Sequence, residues 1–391
     1  MWKGGPPLRF SAVAVIVGAV SFPFSRRCFM PTLYDRFWTH DELLRRVGDI
    51  QQIGGIRDTQ LQGGHASGVR ALEFNCGDGL RFTVLADRCL DIPRLEYRGV
   101  PLVWCSRDGI VAPTYYDARG SEWLHSFAGG LFTTCGLRQV GQPCVDQGEE
   151  LGLHGRIANT PAEDVTVSES WDGDDYVLSV SGTMRETKIF SEDLRLTRTI
   201  TTRMGERSLT LHDRVRNLGS ASSPFMLLYH VNIGFPVLDK DARLIVADRA
   251  VQPKDDLSRA HLAECKTYGP PDPRWLEQNF WHDVQPDREG RCAAAIVNEH
   301  LDLPFGRGLG LAIRWRRDQL WNLVHWKQLG EGDYVTAIEP ANCHTLGRSA
   351  ERDLGTLEYL APGEVRDFDV TFSVLVGADE LQMFESTLPV P

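Results

Sequence analysis

Apolar and polar residues alternate with a period of two along much of this chain, the pattern of half-buried strands. Leu194 to Thr202 and Ser208 to Val215 show it best, with Leu194 and Leu196 in one arm and Leu209 and Leu211 in the other. The turn residues Met204-Gly205-Glu206-Arg207 between them predict a hairpin. Further strand-like runs are Leu80 to Ala86, Tyr176 to Val180, Phe225 to Leu228, Leu244 to Ala247, Ala293 to Val297, Gly310 to Arg314, Val335 to Ile338 and Phe368 to Val376. Helical periodicity is nearly absent. One short helix is predicted where Thr39 and Glu42 form a capping box ahead of Leu43, Leu44 and Val47. Many short strands punctuated by Gly, Pro and Asp predict an all-β fold, a sandwich or barrel.

No linker or repeat divides the chain, and the Pro-rich stretch Gly269 to Pro273 reads as a loop between strands. Residues 30–391 are therefore expected to form a single β domain. Residues 1–29 stand apart. The apolar run Phe10 to Phe24 follows Lys3 and Arg9 but is short for a membrane span, and no small-residue cleavage site follows it. The expectation is an N-terminal extension dispensable to the fold, with Met30 as the natural start; a genuine signal segment would instead mean export.

The formal charge of −11 over 391 residues argues against a nucleic-acid footprint or an anionic membrane surface. Nine cysteines, none in a CxxC pair, fit buried free thiols in a reducing compartment, hence the cytoplasm. The chain lacks GxxxxGK[ST], GxSxG and HExxH, so P-loop, α/β-hydrolase and zincin chemistries lose their usual support. His125, His154, His230 and His344 have no ligand spacing, which leaves a metal-dependent isomerase weak and no metal expected.

Histidines and a carboxylate near strand ends carry the chemical signal. His154 lies in Leu153-His154-Gly155-Arg156, His230 in Tyr229-His230-Val231-Asn232, and Glu339 ends the apolar run Val335 to Ile338. A carboxylate there is costly unless it is paired or used.

These segments, in this order, resemble the galactose mutarotases (aldose 1-epimerases). Arg195 to Leu238 is similar to that family's hairpin and the strand ending in its Asn-His-Thr-Tyr-Phe-Asn signature, here Tyr229 to Phe235. Leu153 to Arg156 resembles its Leu-His-Gly-Gly, Tyr334 to Pro340 its glutamate strand, and Asp87-Arg88-Cys89-Leu90-Asp91 its arginine segment. The likeness spans roughly residues 50–376. Ala86-Asp87-Arg88, Gly129-Gly130-Leu131 and Thr134 to Leu137 resemble a divergent branch.

The resemblance implies a large antiparallel β-sandwich, the supersandwich, with a sugar site on one face. It implies Glu339 as base and His230 as acid in ring opening, with His154 and Arg88 on sugar hydroxyls and no cofactor. The family's sugar-binding Asp motif has a loose match at Glu277 to Phe280, with His282 and Asp283 adjacent, and Trp326 with Lys327 could supply an aromatic wall and a polar handle. Arg88 could equally form an ion-pair cluster with Asp87 and Asp91, and Trp321, Leu323 and Trp326 could be core. The implied partner is a small sugar or sugar derivative, with a non-catalytic sugar-binding protein as the alternative. Assembly into a homo-oligomer is left open.

Overall fold

The alternating arms around Met204 to Arg207 fold as an antiparallel hairpin, Asp193–Arg203 against Ser208–Asn217, with every second residue buried. In the computed structural model, which describes residues 32–390, this hairpin belongs to an eight-stranded sheet. The sheet continues through Val365–Val376, Gly306–Arg316 and Arg291–Leu303. A five-stranded sheet spans Gly55–Gln60 to Val100–Pro101. The extension 1–29 and Met30 lie outside the described residues.

The third large sheet carries the chemistry, and its strands are numbered here along the chain. They are β1 (Thr133–Leu137), β2 (Ser223–Ile233), β3 (Asp248–Pro253), β4 (Gln278–Val284), β5 (Asn322–Gly330), β6 (Asp333–Ala341) and β7 (Glu358–Leu360). Their order is β3-β4-β5-β6-β2-β7, with β1 paired to β2. Large antiparallel sheets of this kind make the all-β sandwich that the alternation predicts.

Because side chains alternate across a sheet, each strand here serves two layers. Tyr229, Val231, Leu323 and Ile338 face the main core, which includes Leu196, Leu211 and Phe372 of the eight-stranded sheet. Phe132 stacks on Phe372 at 5.5 Å, and Phe225 meets Phe368 at 5.7 Å. Met226, Leu228, Val324 and Ala341 face the other way, into a second cluster with Trp123, Phe127 and Trp281. β4 and β5 carry no predicted strand because both their faces are buried, which erases the alternation. The capping box at Thr39 forms as expected and opens a helix at His40–Leu44.

A buried ion-pair network lies in the core. Arg198 donates to both carboxylate oxygens of Asp213 and to Asp91, while the Tyr229 hydroxyl donates to Asp213 at 2.7 Å. Tyr229 replaces the family's Asn beside the histidine. Its side chain points away from the face that bears His230, so this departure leaves that face unaltered.

Candidate active site

Register alone assembles the centre of the site. Val231 pairs with Ile338 and Leu228 with Ala341, which sets His230 of β2 opposite Glu339 of β6. Glu339 is opposite Val324 on β5, and Val324 is opposite Trp281 on β4. One step along the strands, a second row on the same face holds Asn232, Ala337, Trp326 and Asn279.

His230 Nε2 stands 3.1 Å from Glu339 Oε1, both side chains buried. The contact is not aligned as a hydrogen bond, so Glu339 Oε1 and His230 Nδ1 are buried without partners. Burial holds His230 down to about 3; hydrogen bonding with Asn232 and the backbone opposes this only in part. Burial also pushes the Glu339 carboxyl well up; the nearby Glu277 charge adds to this and Lys254 opposes it. The neutral pair, imidazole beside carboxylic acid, is thus favoured over imidazolium beside carboxylate. Either arrangement carries one mobile proton.

His154 comes to the same place from a loop. Its backbone is left-handed (φ 56°) and Gly155 follows at φ 75°, where a Cβ would stand 2.3 Å from Gly136 O. Only glycine fits there, which is the physical content of the Leu-His-Gly motif. The imidazole meets the His230 ring edge-on at 5.8 Å and packs on Trp123 at 4.8 Å. The Gly141 N–H donates to Nδ1 at 3.4 Å, assigning the neutral ring's hydrogen to Nε2. Burial keeps this ring neutral, and the Lys254 charge adds to the effect. Phe127 at 4.9 Å and Trp326 at 5.4 Å enclose the His230 ring. Asn232, in the signature's altered tail, ties the strand to Gly130 O and His230 O.

Three residues expected to bind substrate lie elsewhere. Arg88 is buried, and its guanidinium donates to Ala158 O, Val111 O and Ser126 O at 2.6–2.8 Å. It ties together Val111 and Ser126, the ends of a segment that bears Trp123 and leads into Phe127. The ion-pair cluster does not form either: Asp87 accepts from the Arg70 backbone and Asp91 pairs with Arg198. His282 and Lys327 alternate onto the opposite face of the sheet. His282 bridges Asp248 and His325, and His325 in turn bonds the Tyr268 hydroxyl. Lys327 Nζ donates to Glu264 O and Thr267 O, and burial pushes its ammonium down to about 8. Leu323 is core, whereas Trp326 is on the site face.

Glu277 does reach the site, at an exposed rim where Asn279 Nδ2 donates to its Oε1 at 2.8 Å. Lys254 was not anticipated. Pro253 pairs with Phe280, and the Lys254 N–H donates to Asn279 O at 3.0 Å, which continues the second row with a cation. Its ladder partner is distant in sequence, so no local signal marks it. Among the described residues no group of three or more His, Cys, Asp or Glu is arranged to hold a metal. His125 is exposed, and His344 is bound to Glu351 at 3.1 Å.

The sheets form a β-sandwich of the galactose mutarotase-like class, and known structures share the fold. A presumed aldose 1-epimerase from Klebsiella pneumoniae matches with a TM-score of 0.79 and 28% identity, over 85% of this chain and 86% of that one. The galactose 1-epimerase of Lactobacillus acidophilus shares the fold at a TM-score of 0.53 and 13% identity, over 83% of this chain and 99% of that one. A galactose mutarotase-like protein from Clostridium acetobutylicum does so at 0.51 and 14%, over the same shares. Within this class the chain belongs to the family described as a domain of unknown function, DUF4432, whose profile matches residues 66–374. No curated protein matches it.

Proposed function

We propose that the protein catalyses interconversion of sugar anomers, or a closely related epimerisation, through His230 and Glu339. The carrying observation is the buried 3.1 Å contact between an imidazole and a carboxyl that together hold one mobile proton, with Glu339 Oε1 and His230 Nδ1 left without hydrogen-bond partners. Moving that proton from Glu339 to His230 gives carboxylate and imidazolium. Glu339 then takes the proton of the anomeric hydroxyl while His230 protonates the ring oxygen, and the C1–O5 bond breaks. The open-chain aldehyde is left beside a neutral imidazole and a carboxylic acid, the form that burial favours. After rotation about C1–C2 the same atoms run in reverse: His230 takes the O5 proton and Glu339 returns one to O1. Protons and electrons balance within the pair.

His154 Nε2–H is a neutral donor suited to a sugar hydroxyl, Glu277 an acceptor at the rim, and Trp326 a face for the pyranose C–H edge. Polarimetry and exchange NMR on a panel of aldoses test this directly. Acceleration by the wild type that disappears in Glu339→Gln supports the reading; no acceleration of any sugar contradicts it.

A further inference from the structure

We propose that the sugar taken by this site carries an anionic group, a carboxylate or a phosphate, on the part of the ring remote from the anomeric carbon, and that Lys254 holds it. The inference rests on the anomer-exchange reading, because it places C1 at the dyad.

Register puts Lys254 on the face of Glu339. Gln252 pairs with Trp281, and two residues on, Lys254 is bonded through its backbone to Asn279. Three inter-strand intervals separate β3 from β6, about 14 Å between chain axes. Lys254 and Glu339 thus stand at the two ends of a four-strand stretch of one sheet face. The floor between them is Trp326, Trp281 and Asn279, an aromatic platform with an amide. The Lys254 charge is near enough to act on both Glu339 and His154.

A second observation points to a ligand rich in acceptor oxygens. The indole N–H groups of Trp281 and Trp123 are buried without partners, in residues 8% and 3% exposed, within the site-face cluster. With His154 Nε2–H and the Lys254 ammonium they make this side of the sheet rich in donors. Two carboxylates face Lys254. Asp255 caps the following helix through Ser258 N, and Glu277 is bonded to Asn279. Neither comes within 4 Å of Nζ among the described residues, which leaves the cation available to a substrate oxygen. Glu277 opposes an anion at the rim, so its charge and that of Lys254 act on affinity with opposite signs.

The test is calorimetry together with exchange NMR on glucose, glucuronate and glucose 6-phosphate, with the galactose counterparts, at low salt. One anionic sugar should bind about ten- to hundred-fold more tightly than its neutral parent, the range of a charge-assisted hydrogen bond. The carboxylate and phosphate arms show which anion it is. Lys254→Met should abolish the preference, Lys254→Arg should retain it, and Glu277→Gln should widen it. Equal binding of neutral and anionic sugars, or a preference unchanged in Lys254→Met, overturns the proposal. A preference that Lys254→Met abolishes, seen without anomer exchange, overturns the catalytic reading and leaves the contact between Lys254 and the anion standing. Exchange of neutral sugars without preference does the reverse.

Discussion

His230 Nε2 and Glu339 Oε1 lie 3.1 Å apart on neighbouring strands, each held toward its neutral form by burial. A structural pair would be solvated or fully hydrogen-bonded; this one is neither, and that cost is the reason for proposing it as the reacting pair. Glu339→Gln should therefore lower exchange by about 10²–10⁴-fold. Because the amide removes a buried ionisable group, Tm should hold or rise. Loss of activity together with a large drop in Tm would mean that the carboxyl is structural.

The pair also sets a pH dependence of stability. Folded, it keeps one proton, since His230 is depressed to about 3 and Glu339 is raised. Unfolded, Glu and His titrate near their ordinary values, about 4.3 and 6.5. Between those values both states hold one proton and the pair contributes no slope. Above about 6.5 the unfolded chain has lost its proton while Glu339 retains one, so stability falls as pH rises, by up to about 1.4 kcal/mol per pH unit. Below about 4.3 the unfolded chain binds two, and stability falls as pH drops. Urea titrations of wild type and Glu339→Gln should differ in slope at all pH values above about 4.3: the variant's stability rises between about 4.3 and 6.5, where wild type is flat, and it loses the alkaline fall above about 6.5.

Arg88 should behave as a brace. Arg88→Lys cannot satisfy Val111 O, Ser126 O and Ala158 O together, and a buried unmet carbonyl costs about 1–3 kcal/mol. The expected results are a Tm several degrees lower and faster hydrogen exchange in residues 111–128. A raised KM at unchanged Tm would instead place Arg88 on the sugar.

Lys327 and His282 test the parity of the strands. Lys327→Met strands Glu264 O and Thr267 O and should cost stability of the same order. It should leave the KM for sugar unaltered, because its side chain is on the core face. Altered sugar affinity with intact stability would contradict that placement.

These residues show how far the chain could be read before its fold was known. His230, His154 and Glu339 stood in short motifs whose local geometry is self-contained: a left-handed His before a packed Gly, and a carboxylate ending an apolar run. The Asp193–Asn217 hairpin was legible because one of its faces alternates cleanly. Assigning His282 and Lys327 to the site required the parity of β4 and β5, strands buried on both faces whose sequences carry no alternation. Lys254 lies after Pro253 on a short edge strand, and only pairing with β4 brings it to the second row. Arg88 lies in the expected segment, but its partners are backbone carbonyls from three separate segments, which no side-chain pattern reveals.

The most direct measurement is the rate of anomer exchange at equilibrium, by two-dimensional exchange NMR, for neutral and anionic aldoses with wild type and Glu339→Gln. Saturable acceleration by wild type, reduced at least about a hundred-fold in the variant, is the expected result. Saturable sugar binding with exchange no faster than in buffer, or full exchange in Glu339→Gln, would contradict catalysis by the His230–Glu339 pair.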